Sequence, residues 1–245
     1  MTLNLAHGRR DGFHQALQRR ARIEANLAAV AVQIARVDPD LVALQEADGP
    51  SLWSGRFDHV RYLAEAAHLP YHLRGEHVKW LSLSYGTALL SRLPLSDAAS
   101  TRFAPSPPTP SKGFVIGAVG WPGHPDLVVD VVSLHLDFAR KRVREAQVGQ
   151  LAEALAQRGR PAIVMGDFNC EWTARGSAVR KLAEARDLHA WEPEAPGLAT
   201  FPSRGTRLDW VLASRDLEFA EYWTVPEPLA DHRGVVAGLR LARRA

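Results

Sequence analysis

The run Ile163-Val164-Met165-Gly166-Asp167-Phe168-Asn169 constrains this chain more than any other stretch. Three apolar residues read as a buried strand, and they stop abruptly at an acid and an amide separated by one aromatic. Successive side chains of an extended backbone point to opposite faces. Asp167 and Asn169 therefore look the same way while Phe168 looks the other, and the strand end presents two oxygen-bearing groups to one small object.

The pattern recurs. Glu46 follows Leu41-Val42-Ala43-Leu44, His135 follows Val131-Val132-Ser133-Leu134, Asp209 lies within Arg207-Leu208-Asp209-Trp210-Val211-Leu212, and Asp231-His232 precedes the apolar run that starts at Val235. Strand ends and the loops beside them are where α/β proteins build sites. Taken singly, each has an ordinary explanation: Asp and Asn cap turns, Glu46 suits a solvated strand end, and a lone His is commonly a packed or surface residue. Taken together, the types are complementary. Glu46, Asp231 and Asn4 offer the hard oxygen donors that Mg2+ prefers, while His beside acids offers proton transfer near neutral pH. That combination points to phosphoester hydrolysis.

The rest of the chain reads as a mixture of helices and strands. Ile23, Leu27, Val30, Ile34 and Val37 make one helical face, which Asp38-Pro39 should end. A second helix is expected around His59 to His68, and Val143, Gln147, Leu151 and Leu155 make a third stripe, stopped by Gly159 and Pro161. Strands are expected at Leu41 to Leu44, Tyr71 to Arg74, Thr87 to Leu90, Phe114 to Val119, Leu127 to Leu134, Leu208 to Leu212, Phe219 to Thr224 and Val235 to Leu241. The proline-rich residues 94–113 read as a surface loop. Strands and helices are mixed without strict alternation, which favours two packed sheets with helices outside over one doubly wound sheet. Residues 1–245 fit one such domain.

A single Cys, Cys170, excludes an intramolecular disulfide and a structural Cys/His zinc array. No stretch approaches the roughly 18 apolar residues of a membrane helix, so a cytoplasmic protein is expected. Thr2 to Leu5 reads as the tail of a strand, which leaves an upstream start open. Of 30 basic residues four are Lys, leaving 26 Arg, but 27 acids bring the net charge to +3. That balance does not by itself argue for nucleic acid.

Six segments carry a resemblance across the chain: Leu44-Gln45-Glu46 after Leu3-Asn4, Gly86-Thr87-Ala88-Leu89-Leu90-Ser91, Ser133-Leu134-His135-Leu136-Asp137, Gly166-Asp167-Phe168-Asn169, Arg207-Leu208-Asp209 and Asp231-His232-Arg233. In this order the chain resembles the endonuclease/exonuclease/phosphatase superfamily. The resemblance implies a four-layer α/β/β/α sandwich of two mixed sheets flanked by helices, and a Mg2+- or Mn2+-dependent hydrolase. It implies that Glu46 is the principal metal ligand, helped by Asn4 and Asp231, and that His232 is the general base oriented by Asp209. Asp167 and Asn169 would position the water and the scissile phosphate, and His135 would donate to a phosphoryl oxygen. Trp172, three residues beyond Asn169, and Arg144, in the basic start of the third helix, are further substrate-binding candidates.

The segment Asn169-Cys170-Glu171-Trp172 departs from the pattern of apurinic endonucleases, which disfavours DNA repair. A phosphodiesterase of nuclease type is the leading expectation. A phosphomonoesterase acting on a small molecule or lipid headgroup, and a non-catalytic phosphate-binding module, are the alternatives, with nucleic acid, nucleotide, inositol phosphate and phospholipid all open as substrates.

Overall fold

The computed structural model describes residues 1–10, 12, 14–80 and 82–243. The chain opens with strand β1 (Thr2–Asn4), helix α1 (Arg20–Val37), β2 (Leu41–Asp48), α2 (His59–Ala66), β3 (Tyr71–Trp80) and β4 (Leu83–Ser91). It continues with β5 (Ser96–Arg102), β6 (Gly113–Trp121), β7 (His124–His135), α3 (Lys141–Arg158) and β8 (Ala162–Asp167). Helix α4 (Ala178–Arg186), β9 (Leu188–Ala190), β10 (Asp209–Ser214), β11 (Leu217–Thr224) and β12 (Val235–Leu241) complete it.

The strands form two six-stranded mixed sheets, ordered β11-β12-β1-β2-β4-β3 and β5-β6-β7-β8-β10-β9. Each contains one central parallel pair, β1–β2 and β7–β8, with α1 and α3 as the crossovers that such pairs require. The buried face of α1 (Ile23, Leu27, Val30, Ile34) packs with Leu3, Val42, Leu44 and Leu90 of the first sheet. Helices α3 and α4 cover the second sheet, where Leu151, Leu155, Val179 and Leu182 meet Val132, Leu134, Val164 and Leu212. The inner faces meet through Ala43, Leu89, Val115, Val131, Ile163, Met165 and Val211. The result is the expected four-layer sandwich. Strands buried on both faces explain why residues 41–44 and 163–165 are continuously apolar rather than alternating. Each fully buried aliphatic side chain contributes about 1.5–3 kcal/mol.

Local chemistry sets the element ends. Asp38 takes a left-handed backbone (φ 52°) and donates its N–H to Ile34 O before Pro39, closing α1 where expected. Two readings of the sequence are corrected. Residues 94–113 are not only a loop, because they contain β5; it is an edge strand, mostly exposed, and so carries no apolar alternation. The second concerns the stretch after Asn169, where no helix was expected: α4 lies there, capped by Ser177, whose hydroxyl accepts from Arg180 N–H. Among the described residues no helix is long and apolar enough to cross a membrane.

The two sheets are also tied by polar contacts just below one end of the sandwich. Gln45 on β2 donates to Ser133 Oγ on β7 at 3.1 Å, and Ser133 donates to Leu44 O at 2.9 Å. Within the second sheet, Gly166 permits a close backbone approach between β7 and β8: at φ 148° an added Cβ would lie 2.0 Å from Leu134 O.

Gly166→Ala should therefore destabilise the fold by about 3 kcal/mol or more, measured by urea denaturation, because backbone on both sides cannot yield. A second prediction concerns His77, which is buried and meets Thr87 Oγ1 at 2.9 Å. Burial, then the charge of Lys112, push its pKa from the ordinary 6.5 down to about 4. The neutral form is favoured in the fold, so its contribution is complete above pH 6.5 and is lost as pH falls toward 4. Replacing it in His77→Gln should flatten the stability slope over that window by on the order of 3 kcal/mol.

Candidate active site

The polar strand ends converge because the strands bearing them point the same way. Asn4, Glu46, His135 and Asp167 sit at or near the C-terminal ends of β1, β2, β7 and β8. Asp209 opens β10, antiparallel to β8, and Asp231-His232 precede β12, antiparallel to β1, so all reach the same end. They meet around a cavity of about 340 Å³ lined by Asn4, Glu46, His135, Asp167, Asn169, Asp231 and His232, with Arg9, Lys112, Phe138, Phe201 and Arg204. A cavity of about 420 Å³ at the opposite end, lined by Leu41, Trp121, Ile163 and Val236, lacks this convergence of titratable groups. Chemistry rather than size identifies the site.

Backbone irregularities aim two of the side chains. Pairing of β2 with β4 shifts register between Leu44 and Ala47, and Glu46, inside that bulge, takes a left-handed φ of 49°. Asn169 is also left-handed (φ 51°); its N–H donates to Asp167 Oδ1 at 2.8 Å and its amide donates to Leu136 O at 3.0 Å. Such conformations cost about 1–3 kcal/mol each and cluster at working sites.

Asp167 is 1% exposed, and its Oδ2 accepts from Asn4 Nδ2 at 3.1 Å, with His135 Nε2 at 3.5 Å and His232 Nε2 at 3.9 Å. Burial first, and Asp209 second, push its pKa up to about 7. His232 Nδ1 lies 2.7 Å from Asp209 Oδ2. Burial opposes its charge, but Asp209 and then Asp167 outweigh burial and raise the imidazole to about 10. Asp209 is held by its own N–H to Thr200 Oγ1 at 3.0 Å, and Phe201 packs on His232 with ring centroids 4.9 Å apart.

Lys112, 7% exposed, is the residue that sequence reasoning missed most clearly. Its Nζ lies 3.0 Å from His135 Nε2 and 3.5 Å from Glu46 Oε1. The proline-rich loop brings it there: Asp137 accepts from Ser106 and Thr109 of that loop and from the Ala139 and Arg140 N–H groups. Burial, then Lys112, hold His135 well below its ordinary pKa, so it is neutral. Burial works against ionisation of Glu46, yet His7 and Lys112 more than compensate and hold its carboxyl well below the usual range. The signal for Lys112 was its rarity: one of four Lys among 26 Arg, directly before a strand.

Two expected substrate contacts face elsewhere. Arg144 donates to Asp137 O and Phe138 O, bracing the turn into α3 instead of lining the cavity. Trp172 is partly buried against Trp210, ring centroids 5.9 Å apart. Proximity in sequence to Asn169 does not carry it into the site.

The donor set suits a divalent cation. Ligand atoms of Asp167, Asp209 and His232 lie within 4.8 Å of one another, and buried Asp209 Oδ1 has no hydrogen-bond partner among the described residues. Because Asp209 and His232 already engage each other, Glu46 is the less committed carboxylate. Asn4 is occupied by Ala6 N–H and Asp167, and Asp231 by Arg9. Carboxylate and amide oxygens are hard donors of the kind Mg2+ and Mn2+ take.

Comparison with known proteins agrees with this architecture. Residues 1–232 match the Endonuclease/Exonuclease/phosphatase family. A family protein from Leptotrichia buccalis C-1013-b is 17% identical, with 98% of each chain covered and a TM-score of 0.74. An endonuclease/exonuclease/phosphatase from Beutenbergia cavernae DSM 12333 is 21% identical over 88% of this chain and 66% of its own, with a TM-score of 0.72. The Bacteroides thetaiotaomicron VPI-5482 mannosyl-6-phosphatase Bt3783 is 14% identical, covering 90% and 94%, with a TM-score of 0.69. No curated protein matches by sequence.

The His232–Asp209 contact makes a direct prediction. Asp209→Asn removes the largest charge favouring the imidazolium, so His232 should titrate at least about 2 pH units lower, followed by NMR of its ring nitrogens. An unchanged titration would mean that Asp209 does not set the protonation of His232.

Proposed function

This chain belongs to the endonuclease/exonuclease/phosphatase family, whose members are metal-dependent phosphoesterases, and from that premise we propose that it hydrolyses a phosphodiester by direct attack of water. The observation that carries the reading is the His232–Asp209 pair facing Asp167, with Glu46, His135 and Lys112 across one cavity. The whole chain acts as one catalytic domain.

In this reading His232 Nε2 takes a proton from the attacking water, while Asp209 fixes the tautomer through Nδ1 and stabilises the imidazolium that results. The high proton affinity that the two acids confer makes His232 a strong base once positive charge nearby has removed its resting proton. Asp167 and Asn169 orient water and phosphate, and the left-handed backbone of Asn169 sets the angle of its amide. Glu46, with Asn4 and Asp231 beside it, holds the divalent cation, Mg2+ or Mn2+. When bound, that cation neutralises charge on the phosphoryl oxygens. His135 was expected to donate to a phosphoryl oxygen. As a neutral ring whose Nε2 lies 3.0 Å from Lys112 Nζ, it accepts from the ammonium, and Lys112 becomes the donor that meets growing negative charge.

Charge favours a diester over a monoester. Arg9 is paired with Asp231 and Lys112 faces Glu46, whereas Arg204 forms no ion pair among the described residues. Beyond the divalent cation, that leaves one unpaired side-chain cation, a number that suits the monoanion of a diester better than the dianion of a monoester. Phe138, 59% exposed, and Phe201 add apolar walls for organic groups on both sides of phosphorus.

The test is turnover of bis(p-nitrophenyl) phosphate against p-nitrophenyl phosphate with Mg2+ or Mn2+. The diester should be hydrolysed faster, chelator should abolish turnover, and His232→Ala or Asp167→Ala should lower kcat by roughly a thousandfold or more with folding intact. Preference for the monoester would reverse the charge argument, and wild-type rates in the variants would remove the roles assigned to them.

A further inference from the structure

Behind Glu46 lies a second histidine–carboxylate arrangement, built by His7 after β1 and Asp48 on β2 of the first sheet. Asp48, the last residue of β2 and fully buried, accepts from Trp53 Nε1 at 2.8 Å, while its other oxygen lies 2.6 Å from His7 Nδ1. The His7 ring is 8% exposed and held by Tyr85 edge-on at 4.8 Å and Trp53 at 5.1 Å. Ala6 and His7 are both left-handed, with φ 46° and 56°. Two consecutive residues that are not glycine seldom adopt this backbone, so the ring is aimed at some cost and not merely packed.

Burial opposes a charge on the ring, but Glu46 and Asp48 outweigh it and favour the imidazolium. Asp48 holds the Nδ1 proton, and a metal ion takes Nε2 by displacing the other. Nε2 makes no hydrogen bond among the described residues, although it lies 3.4 Å from Glu46 Oε2. Two donors bound at about 2.1 Å to one ion are about 3.0 Å apart at an octahedral angle and about 3.4 Å apart at a tetrahedral one. The observed 3.4 Å is that of an ion pair, and a closure of about 0.4 Å brings both atoms to the octahedral spacing at which they can share an ion.

We propose that His7 Nε2 and Glu46 Oε2 ligate the same divalent cation, with Asp48 orienting the imidazole. The arrangement of carboxylate, histidine and metal is a common means of fixing a ligating ring. The proposal rests on the reading of Glu46 as a metal ligand. It adds a consequence for metal identity: an imidazole donor favours first-row transition ions over Mg2+, so this site selects Mn2+.

The experiment is Mn2+ and Mg2+ binding to the full chain by calorimetry, with pulsed EPR of bound Mn2+ to detect nitrogen coupling. Wild type should bind Mn2+ more tightly than Mg2+ and show 14N coupling. His7→Ala should lose that coupling and bind Mn2+ roughly 10–100-fold more weakly, with Mg2+ affinity changed by less than about threefold. His7→Asn, whose side chain tolerates the left-handed backbone, is the second variant should the alanine form not fold. Glu46→Gln separates the two layers of the argument by weakening both metals. If it does so while the His7 variants keep the coupling and the Mn2+ affinity, the nitrogen comes from another histidine and the proposal is overturned, with Glu46 standing as ligand. If Glu46→Gln binds both metals as wild type does, the reading beneath the proposal fails.

Discussion

A carboxylate taken out of water must be answered by its neighbours, and the catalytic end of this molecule is arranged around that demand at Asp167. At 1% exposure it is answered by an amide from β1, a backbone N–H beyond β8 and the His232 imidazolium, 3.9 Å away, on the approach to β12. These donors come from both sheets. No single sheet could satisfy the group alone, so docking of the two layers and assembly of the site are one event. The Gln45–Ser133 contact below it makes the same link in neutral hydrogen bonds.

Charge is distributed across the cavity in opposed sets. On one side two acids hold His232 charged; on the other, Lys112 and His7 hold Glu46 ionised. Each buried charge is thus compensated locally, and the site tolerates many ionisable groups in little space. The same compensation leaves little surplus charge for a ligand, so the discrimination between phosphoesters falls to the few groups left unpaired.

Much of this was legible in the sequence because its physics is local. The stripe Ile23, Leu27, Val30 and Ile34 and the doubly buried runs at 41–44 and 163–165 announce both parallel units. Asp167 and Asn169 both line the cavity, but not by strand alternation: β8 stops at Asp167 and a left-handed turn brings Asn169 there. What escaped is non-local or featureless. Strand β5 is exposed and carries no periodicity, while Lys112 and His7 matter through partners far along the chain, at His135 and Asp48. Arg144 and Trp172 show the converse error, since residues adjacent in sequence to site residues point into turns and packing instead.

The insertion of β12 between β11 and β1 has a consequence for biosynthesis. Glu46 leaves the ribosome well before His232 and the strand that follows it. The first sheet stays split until β12 slots beside β1, and until then His232 has no scaffold. A chain that has not yet placed β12 carries Glu46 and Lys112 but, in the proposed function, lacks its proton acceptor. Hydrolytic competence in that reading waits on a single strand.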